Sequence, residues 1–178
     1  MNYLRNKSVY LCGPMFACAD DGAGWRDFIT PKLLSYGLNV ENPVKKTLPN
    51  GMGEVEDDKK KFVDLVKERK FAELRAIFEP IGRKDLRCVD KADFLIMTYT
   101  SHVHMFGTLH EVCEASKQRK PILVMVDDAC VVDGTLNPWL TIVTKPSCWF
   151  FNWEDMFTHL DQVDNMVKPY FDDRYWTI

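Results

Sequence analysis

The chain has 178 residues, of which 46% are hydrophobic, and this fits a single domain over residues 1–178 with a sizeable core. Its formal net charge of −3, with acids and bases interspersed, gives no long-range field that would attract polymeric nucleic acid or an anionic membrane. No apolar run approaches the roughly 20 residues of a membrane span, and the first residues lack a signal-peptide core, so we expect a cytoplasmic protein.

The first elements are two strands separated by a helix. An apolar run at Ser8–Cys12, ended by Gly13-Pro14, is typical of a buried strand that leads into a loop. Residues 25–36 carry apolar side chains at helical spacing. A brief second strand is predicted at residues 38–40, where Asn42-Pro43 ends it and a polar loop follows.

The middle of the chain continues the alternation. Residues 54–78 are charged with a helical apolar stripe, and a short segment at 85–91 leads to a strand at 93–98. A helix is predicted at about 108–118 and a strand at 122–126. These elements predict parallel strands joined by helices.

The last elements are a strand at 148–151 and a helix with Asn152 as its N-cap. Glu154 and Asp155 in the first turn of that helix complement its dipole. Because strands alternate with helices throughout, the sequence predicts the α/β class, with a doubly wound parallel sheet covered on both faces.

Three loops meet at the carboxyl edge of such a sheet, where open α/β folds bind ligands. Glu111 lies in the third loop-to-helix segment, after Gly107-Thr108. We expect it in the first helical turn, where the helix dipole favours the ionised carboxylate that a nucleophile needs. The alternative is an acid that serves only the helix dipole.

Two more side chains are candidates for chemistry. Asp85 either acts as an acid or caps a turn at residues 84–89, and Asp90 competes with it for the acid role. Tyr10 lies within the first strand, where a tyrosine usually belongs to the core with its hydroxyl on a polar partner.

Other reactive groups do not form a known motif. His102-x-His104 and His110 offer metal-ligand types, but no second cluster fixes their geometry, so we predict no metal. The six cysteines contain no C-x-x-C pair and are interpreted as reduced and structural; no neighbouring sequence argues for Cys12, Cys18 or Cys113 as a nucleophile. Gly13-Pro14-Met15 fits neither a P-loop nor a dinucleotide fingerprint.

Five segments, taken in order, resemble the nucleoside 2-deoxyribosyltransferase family, which includes deoxynucleoside-monophosphate N-glycosidases. They are Val9–Met15, Asp85-Leu86-Arg87, Ala92–Ile96, Gly107-Thr108-x-x-Glu111 and Lys120-Pro121-Ile122. The resemblance covers roughly residues 8–160. It implies a flavodoxin-like, Rossmann-like sheet of five strands in the order 2-1-3-4-5, a homo-oligomer, a small nucleoside or nucleotide as partner, and no cofactor.

The resemblance also implies roles for individual residues. Glu111 matches the nucleophile, Asp85 the aspartate that handles the base, and Tyr10 the tyrosine that orients the nucleophile. Asn137 is similar to an asparagine that reaches a neighbouring subunit's site, and Met105 stands where the classical transferases carry an acid for sugar hydroxyls. The full set expected to bind substrate is Gly13, Pro14, Met15, Trp25, Arg26, Gly107, Thr108 and Asn137.

The expected reaction is cleavage of the bond between a base and deoxyribose through a glycosyl-enzyme, with water or a second base as acceptor. Arg26, Lys45 and Lys46 are candidates for binding a 5′-phosphate. The alternatives are a nucleotide-sensing module that uses the same pocket without turnover, and a scaffold. The aromatic tail, residues 170–178, is expected to dock on its own domain or on a neighbour.

Overall fold

The computed structural model describes residues 2–15, 18–45, 56–168 and Trp176, the side chains of 56–59 excepted. Its centre is an all-parallel sheet of five strands in the order β2-β1-β3-β4-β5. The strands are β1 (Ser8–Cys12), β2 (Asn39–Glu41), β3 (Phe94–Tyr99), β4 (Ile122–Val126) and β5 (Trp149–Phe150). The predicted α/β fold and strand order are confirmed.

Seven α-helices accompany the sheet in the described part of the chain. They are α1 (Ala23–Ser35), α2 (Glu56–Lys67), α3 (Phe71–Lys91), α4 (Phe106–Lys117), α5 (Asp128–Val132), α6 (Leu140–Val143) and α7 (Trp153–Asp164). None of these helices combines the length and the apolar character that a membrane span requires.

The two faces of the sheet bury separate hydrophobic layers, which explains why the strands are almost continuously apolar. On one face, Val9 and Leu11 pack in the layer that contains α1 and α7 residues. The alternate residues of β1, Tyr10 and Cys12, pack in the layer that contains α3 and α4 residues. This alternation directs Tyr10 toward the two helices that carry the predicted carboxylates.

The predicted single helix at 54–78 is wrong, because α2 and α3 are two helices separated at Arg69, which has a left-handed φ of 57°. The apolar stripes of the two helices face each other, with the Phe62 and Phe78 rings 4.5 Å apart. The segment predicted separately at 85–91 is the last part of the 21-residue α3. Residue 54 lies outside the described ranges.

Near the chain ends, two smaller predictions hold. The Asn152 side chain accepts a hydrogen bond from the Asp155 N–H at 2.8 Å, as expected of an N-cap. From the tail, Trp176 is buried against Phe94, and its carbonyl oxygen accepts a hydrogen bond from the Tyr3 hydroxyl. Trp176 therefore docks on its own domain, and the other tail residues from 169 on are outside the described part.

Candidate active site

Tyr10 and Glu111 form the central contact of the site. The Tyr10 hydroxyl donates a hydrogen bond of 2.8 Å to Oε1 of Glu111, which joins β1 to α4. Burial, with Tyr10 only 1% exposed, and the negative charges of Glu111 and Asp85 raise the pKa of Tyr10 well above its usual value. The phenol therefore keeps its proton and acts as a donor that holds one carboxylate oxygen.

The place of Glu111 in its helix differs from the prediction. Helix α4 begins at Phe106, not at Thr108, so Glu111 lies in the second turn, and the first turn contains no acid. The helix dipole acts mainly within the first turn, so the expected dipole effect on Glu111 is wrong. Glu111 is held by the packing of the buried α4 residues beside it and by the hydrogen bond from the Tyr10 hydroxyl.

Asp85 lies inside α3, so its predicted role as the cap of a turn is wrong. It is four residues from the buried Ile81 and four from the buried Val89, which places it on the same helix face. The charge of Asp85 helps to raise the pKa of Tyr10. The two predicted carboxylates therefore both act on one buried hydroxyl.

Asp90, the competing candidate acid, lies elsewhere. It is exposed in the last turn of α3 and accepts a hydrogen bond of 2.8 Å from the Gln118 amide. Gln118 caps the end of α4, just before β4 begins at the amino edge of the sheet. Asp90 is therefore at the opposite edge from the predicted site.

A cavity of about 400 Å³ borders the Tyr10 ring. It lies between α1, the end of β2 and α3, and Lys45 and Lys84 provide its cationic groups. Lys45 forms an exposed ion pair of 2.7 Å with Asp27. A second cavity of about 750 Å³ shares Lys84 with the first and continues along α3 past further basic residues. Glu41 lines both cavities, so their walls carry charges of both signs, and Lys46 lies outside the described residues.

The Arg26 side chain is buried and binds the backbone of neighbouring residues. It is fully buried, and its guanidinium donates hydrogen bonds to the carbonyl oxygens of Leu11, Gly13 and Gly22 at 3.2, 3.0 and 2.7 Å. It also stacks on the Trp25 ring at 4.5 Å. These contacts hold both ends of the loop after β1 together, so Arg26 organises the loop, and its predicted contact with a phosphate stays a prediction.

Gly13 lies where β1, β3 and α1 approach closely. A methyl group at Gly13 would overlap Oγ1 of Thr98 and lie 3.1 Å from the Trp25 ring. Among the described residues, neither Oγ1 of Thr98 nor the indole N–H of Trp25 has a hydrogen-bond partner. Two buried polar atoms thus lie beside the loop that continues through Pro14 and Met15, and unsatisfied atoms of this kind often belong to functional sites.

The predicted Gly-Thr turn is part of α4. Gly107 is the second residue of that helix and Thr108 is buried in it, so neither forms a turn, because the helix starts earlier than the sequence indicated. A methyl group at Gly107 would meet no atom within 4 Å among the described residues, so this glycine leaves open space.

Asn137 is exposed between α5 and α6. Its side chain accepts a hydrogen bond from the Trp139 N–H at 3.0 Å, and its own N–H donates to the Tyr99 hydroxyl at 3.1 Å. This single chain does not test the expected contact with a neighbouring subunit.

The histidines and cysteines are arranged differently from the sequence pattern. Within the described ranges, His102 approaches Asp127 and Cys130, and neither His104 nor His110 joins that group. No disulfide joins the six cysteines, all of which lie in those ranges. Burial and the Glu111 charge raise the pKa of Cys12 well above its usual value, so Cys12 is unsuited to act as a thiolate nucleophile.

Two residues near the site had no predicted role. Lys84 lines the cavity, and Thr98 lies next to Gly13. Lys84 and Cys88 face the same cavity because they are one helical turn apart on α3. This spacing would have identified them if the helix had been recognised as continuous from Phe71. Thr98 had no comparable sequence pattern.

Comparison with known proteins gives a structural likeness and no match by sequence. No protein-family model and no curated protein matches the sequence. A solved structure of the Clostridium botulinum CMP N-glycosidase BcmB is similar with a TM-score of 0.46 and 15% sequence identity, over 87% of this chain and 98% of that one.

Proposed function

We propose that this protein cleaves the N-glycosidic bond of a 2′-deoxynucleoside or its 5′-monophosphate. The observation that carries the proposal is the 2.8 Å hydrogen bond from Tyr10 to Glu111, at a hydroxyl on which Asp85 also acts. One positioned carboxylate and a second acidic group nearby are the components that glycoside cleavage with retention requires. Their order in the sequence is also that of the nucleoside 2-deoxyribosyltransferases.

In the first step, one oxygen of Glu111 attacks C1′ of the sugar and forms a glycosyl ester. The bond between C1′ and the base nitrogen breaks, and its electron pair stays on the base, which takes a proton from Asp85. For this step Asp85 enters as the carboxylic acid, whereas its charged form is the one that raises the pKa of Tyr10. The Tyr10 hydroxyl donates a hydrogen bond to Oε1 and so fixes the orientation of the attacking carboxylate. Tyr10 thus limits the orientations of the nucleophile and contributes through positioning.

In the second step, an acceptor attacks C1′ and releases Glu111. With water as acceptor, the Asp85 carboxylate takes up the water proton, and the net reaction is hydrolysis. With a second base, the acceptor nitrogen loses its proton to Asp85 and the net reaction is transfer. In both cases two displacements restore the anomeric configuration of the substrate.

We propose that Lys84 and Lys45, which line the cavity beside Tyr10 together with Glu41, bind the 5′-phosphate of a monophosphate substrate. We also propose a homo-oligomer, in which the exposed Asn137 is free to approach a neighbouring chain's site.

The direct test is chromatographic detection of base release from a panel of 2′-deoxynucleosides and their 5′-monophosphates, with and without an acceptor base. Wild type is compared with Glu111→Gln and with Glu114→Gln, a matched change one turn away, where the acid pairs with Lys117 at 2.7 Å. We expect release by wild type and Glu114→Gln, and loss in Glu111→Gln. Nucleotide binding without release from any substrate would instead establish a sensing module.

A further inference from the structure

Three side chains of different chemistry converge beyond the ends of β3 and β4. His102 contributes a ring nitrogen, Asp127 a carboxylate oxygen and Cys130 its sulfur, and these atoms all lie within 4.8 Å of one another. His102 and Asp127 are exposed, whereas Cys130 is buried, so the cluster opens to solvent on one side only. This group is separate from the Tyr10–Glu111 contact.

Asp127 and Cys130 each accept hydrogen bonds from neighbouring residues. Oδ2 of Asp127 accepts from the Thr100 hydroxyl at 3.0 Å, and Oδ1 accepts from the Ala129 N–H at 3.1 Å. The sulfur of Cys130 accepts from the N–H and the hydroxyl of Ser101 at 3.1 and 3.3 Å. Outer contacts of this kind orient the ligands of protein metal sites.

We propose that His102, Asp127 and Cys130 bind a divalent transition metal of the Zn²⁺ type. Nitrogen, thiolate sulfur and carboxylate oxygen are the three ligand types that zinc takes, at bond lengths of about 2.0 to 2.3 Å. A tetrahedron with such bonds has edges of roughly 3.5 Å, so the present spacing needs only a small adjustment of the exposed His102 ring. Water fills the fourth position.

Binding exchanges a proton for the metal. The sulfur forms its bond to the ion as a thiolate, and the thiol proton passes to the solvent. The bound ion joins the loop after β3, which contains His102, to α5, which contains Cys130. The site thereby fixes the loop that leads into α4, and it does so whether or not the protein cleaves glycosidic bonds.

Co²⁺ is the probe, because thiolate ligation gives cobalt a charge-transfer absorption that aqueous Co²⁺ lacks. Tag-free, reduced, chelator-treated full-length protein is titrated with Co²⁺, and Zn²⁺ is then added. We expect the band to saturate at one ion per chain and to disappear with Zn²⁺, which binds such sites more tightly.

The variants assign the band to its ligands. Cys130→Ser should abolish it, and His102→Ala and Asp127→Asn should weaken Co²⁺ binding at least tenfold, a typical effect of losing one ligand contact (about 1.4 kcal/mol or more). Asparagine keeps the N-cap of α5, so Asp127→Asn remains informative if Cys130→Ser does not fold. Cys113→Ser and His104→Ala are the matched controls and should leave the band unchanged.

Four results would overturn the proposal, three of them in the wild type or in the ligand variants. Those three are a wild-type protein with no thiolate band at excess Co²⁺, a band that survives in a folded Cys130→Ser, and affinities unchanged in both His102→Ala and Asp127→Asn. Loss of the band in Cys113→Ser would likewise assign the sulfur ligand to a different residue.

Discussion

Removal of the Tyr10 hydroxyl tests whether this residue positions the nucleophile. Tyr10→Phe keeps the buried ring and deletes only the donor of the 2.8 Å hydrogen bond to Glu111. A hydrogen bond to a charged group contributes about 1.5 to 3 kcal/mol, and about 1.36 kcal/mol corresponds to a tenfold change in rate. We therefore expect kcat/KM for base release to fall roughly 10- to 150-fold.

The pH dependence sharpens this test. Burial and the charges of Glu111 and Asp85 raise the pKa of Tyr10, so the phenol stays protonated through the pH range in which a tyrosine usually titrates. The ratio of wild-type to Tyr10→Phe activity should therefore be constant from about pH 6 to about pH 9. A ratio that changes tenfold across this range would mean that the hydroxyl titrates and takes part in proton transfer.

A second tyrosine provides the control. The Tyr36 hydroxyl donates a hydrogen bond of 2.5 Å to Asp161 on α7, a similar tyrosine–carboxylate pair on the other face of the sheet. Tyr36→Phe should leave kcat/KM within about twofold of wild type, since its hydroxyl bonds to α7, on the face of the sheet opposite Tyr10. If Tyr10→Phe also stays within twofold, or if both variants lose activity equally, the positioning role of Tyr10 is refuted.

Two further predictions concern stability. Gly13→Ala should lower the free energy of unfolding by about 1 to 3 kcal/mol, because the new methyl group overlaps Thr98. Denaturant midpoints should show this loss, and the double variant Gly13→Ala/Thr98→Ala should recover it. Gly107→Ala, where space is open, is the control and should lose no stability. Burial lowers the pKa of His159 from 6.5 to about 4, so the folded state resists its protonation and stability is lost as pH falls from about 6.5 toward 4. This pKa difference corresponds to at most roughly 3 to 4 kcal/mol. His159→Gln should remove most of this acid dependence, whereas the change of the exposed His104 to Gln should not. Acid dependence equal to that of wild type in His159→Gln would contradict this assignment.

The strands were predictable from the sequence because parallel strands buried on both faces are short apolar runs between turn residues. Ser8–Cys12 before Gly13-Pro14 and Ile122–Val126 after Pro121 are the clearest examples, and both strands have those bounds. The strand order came from the family resemblance, and the structure confirms it.

Helix boundaries were harder because their determinants are not in the local pattern. Helix α4 has Met105 as its N-cap and no side-chain hydrogen bond there, so no capping residue marked its start. The break between α2 and α3 occurs at Arg69, whose left-handed backbone is unusual for a residue other than glycine. The early start of α4 moved Glu111 to a second turn, and the continuation of α3 to Lys91 placed Asp85 inside a helix.

Contacts between distant segments were beyond local sequence patterns. The approach of His102 to Asp127 and Cys130 depends on the pairing of β3 with β4, which aligns Tyr99 with Val126. Tyr10 and Glu111 are far apart in the chain, and they were linked in advance only through the family resemblance. The structure supplied the hydrogen bond between them.

The most direct test of the proposed mechanism is the mass of the enzyme after rapid acid quenching during base release, followed by peptide mapping. The covalent mechanism predicts a deoxyribosyl adduct on the peptide that contains Glu111, present in wild type and absent in Glu111→Gln. Turnover by wild type without any adduct, an adduct on a different carboxylate, or base release that persists in Glu111→Gln would contradict it.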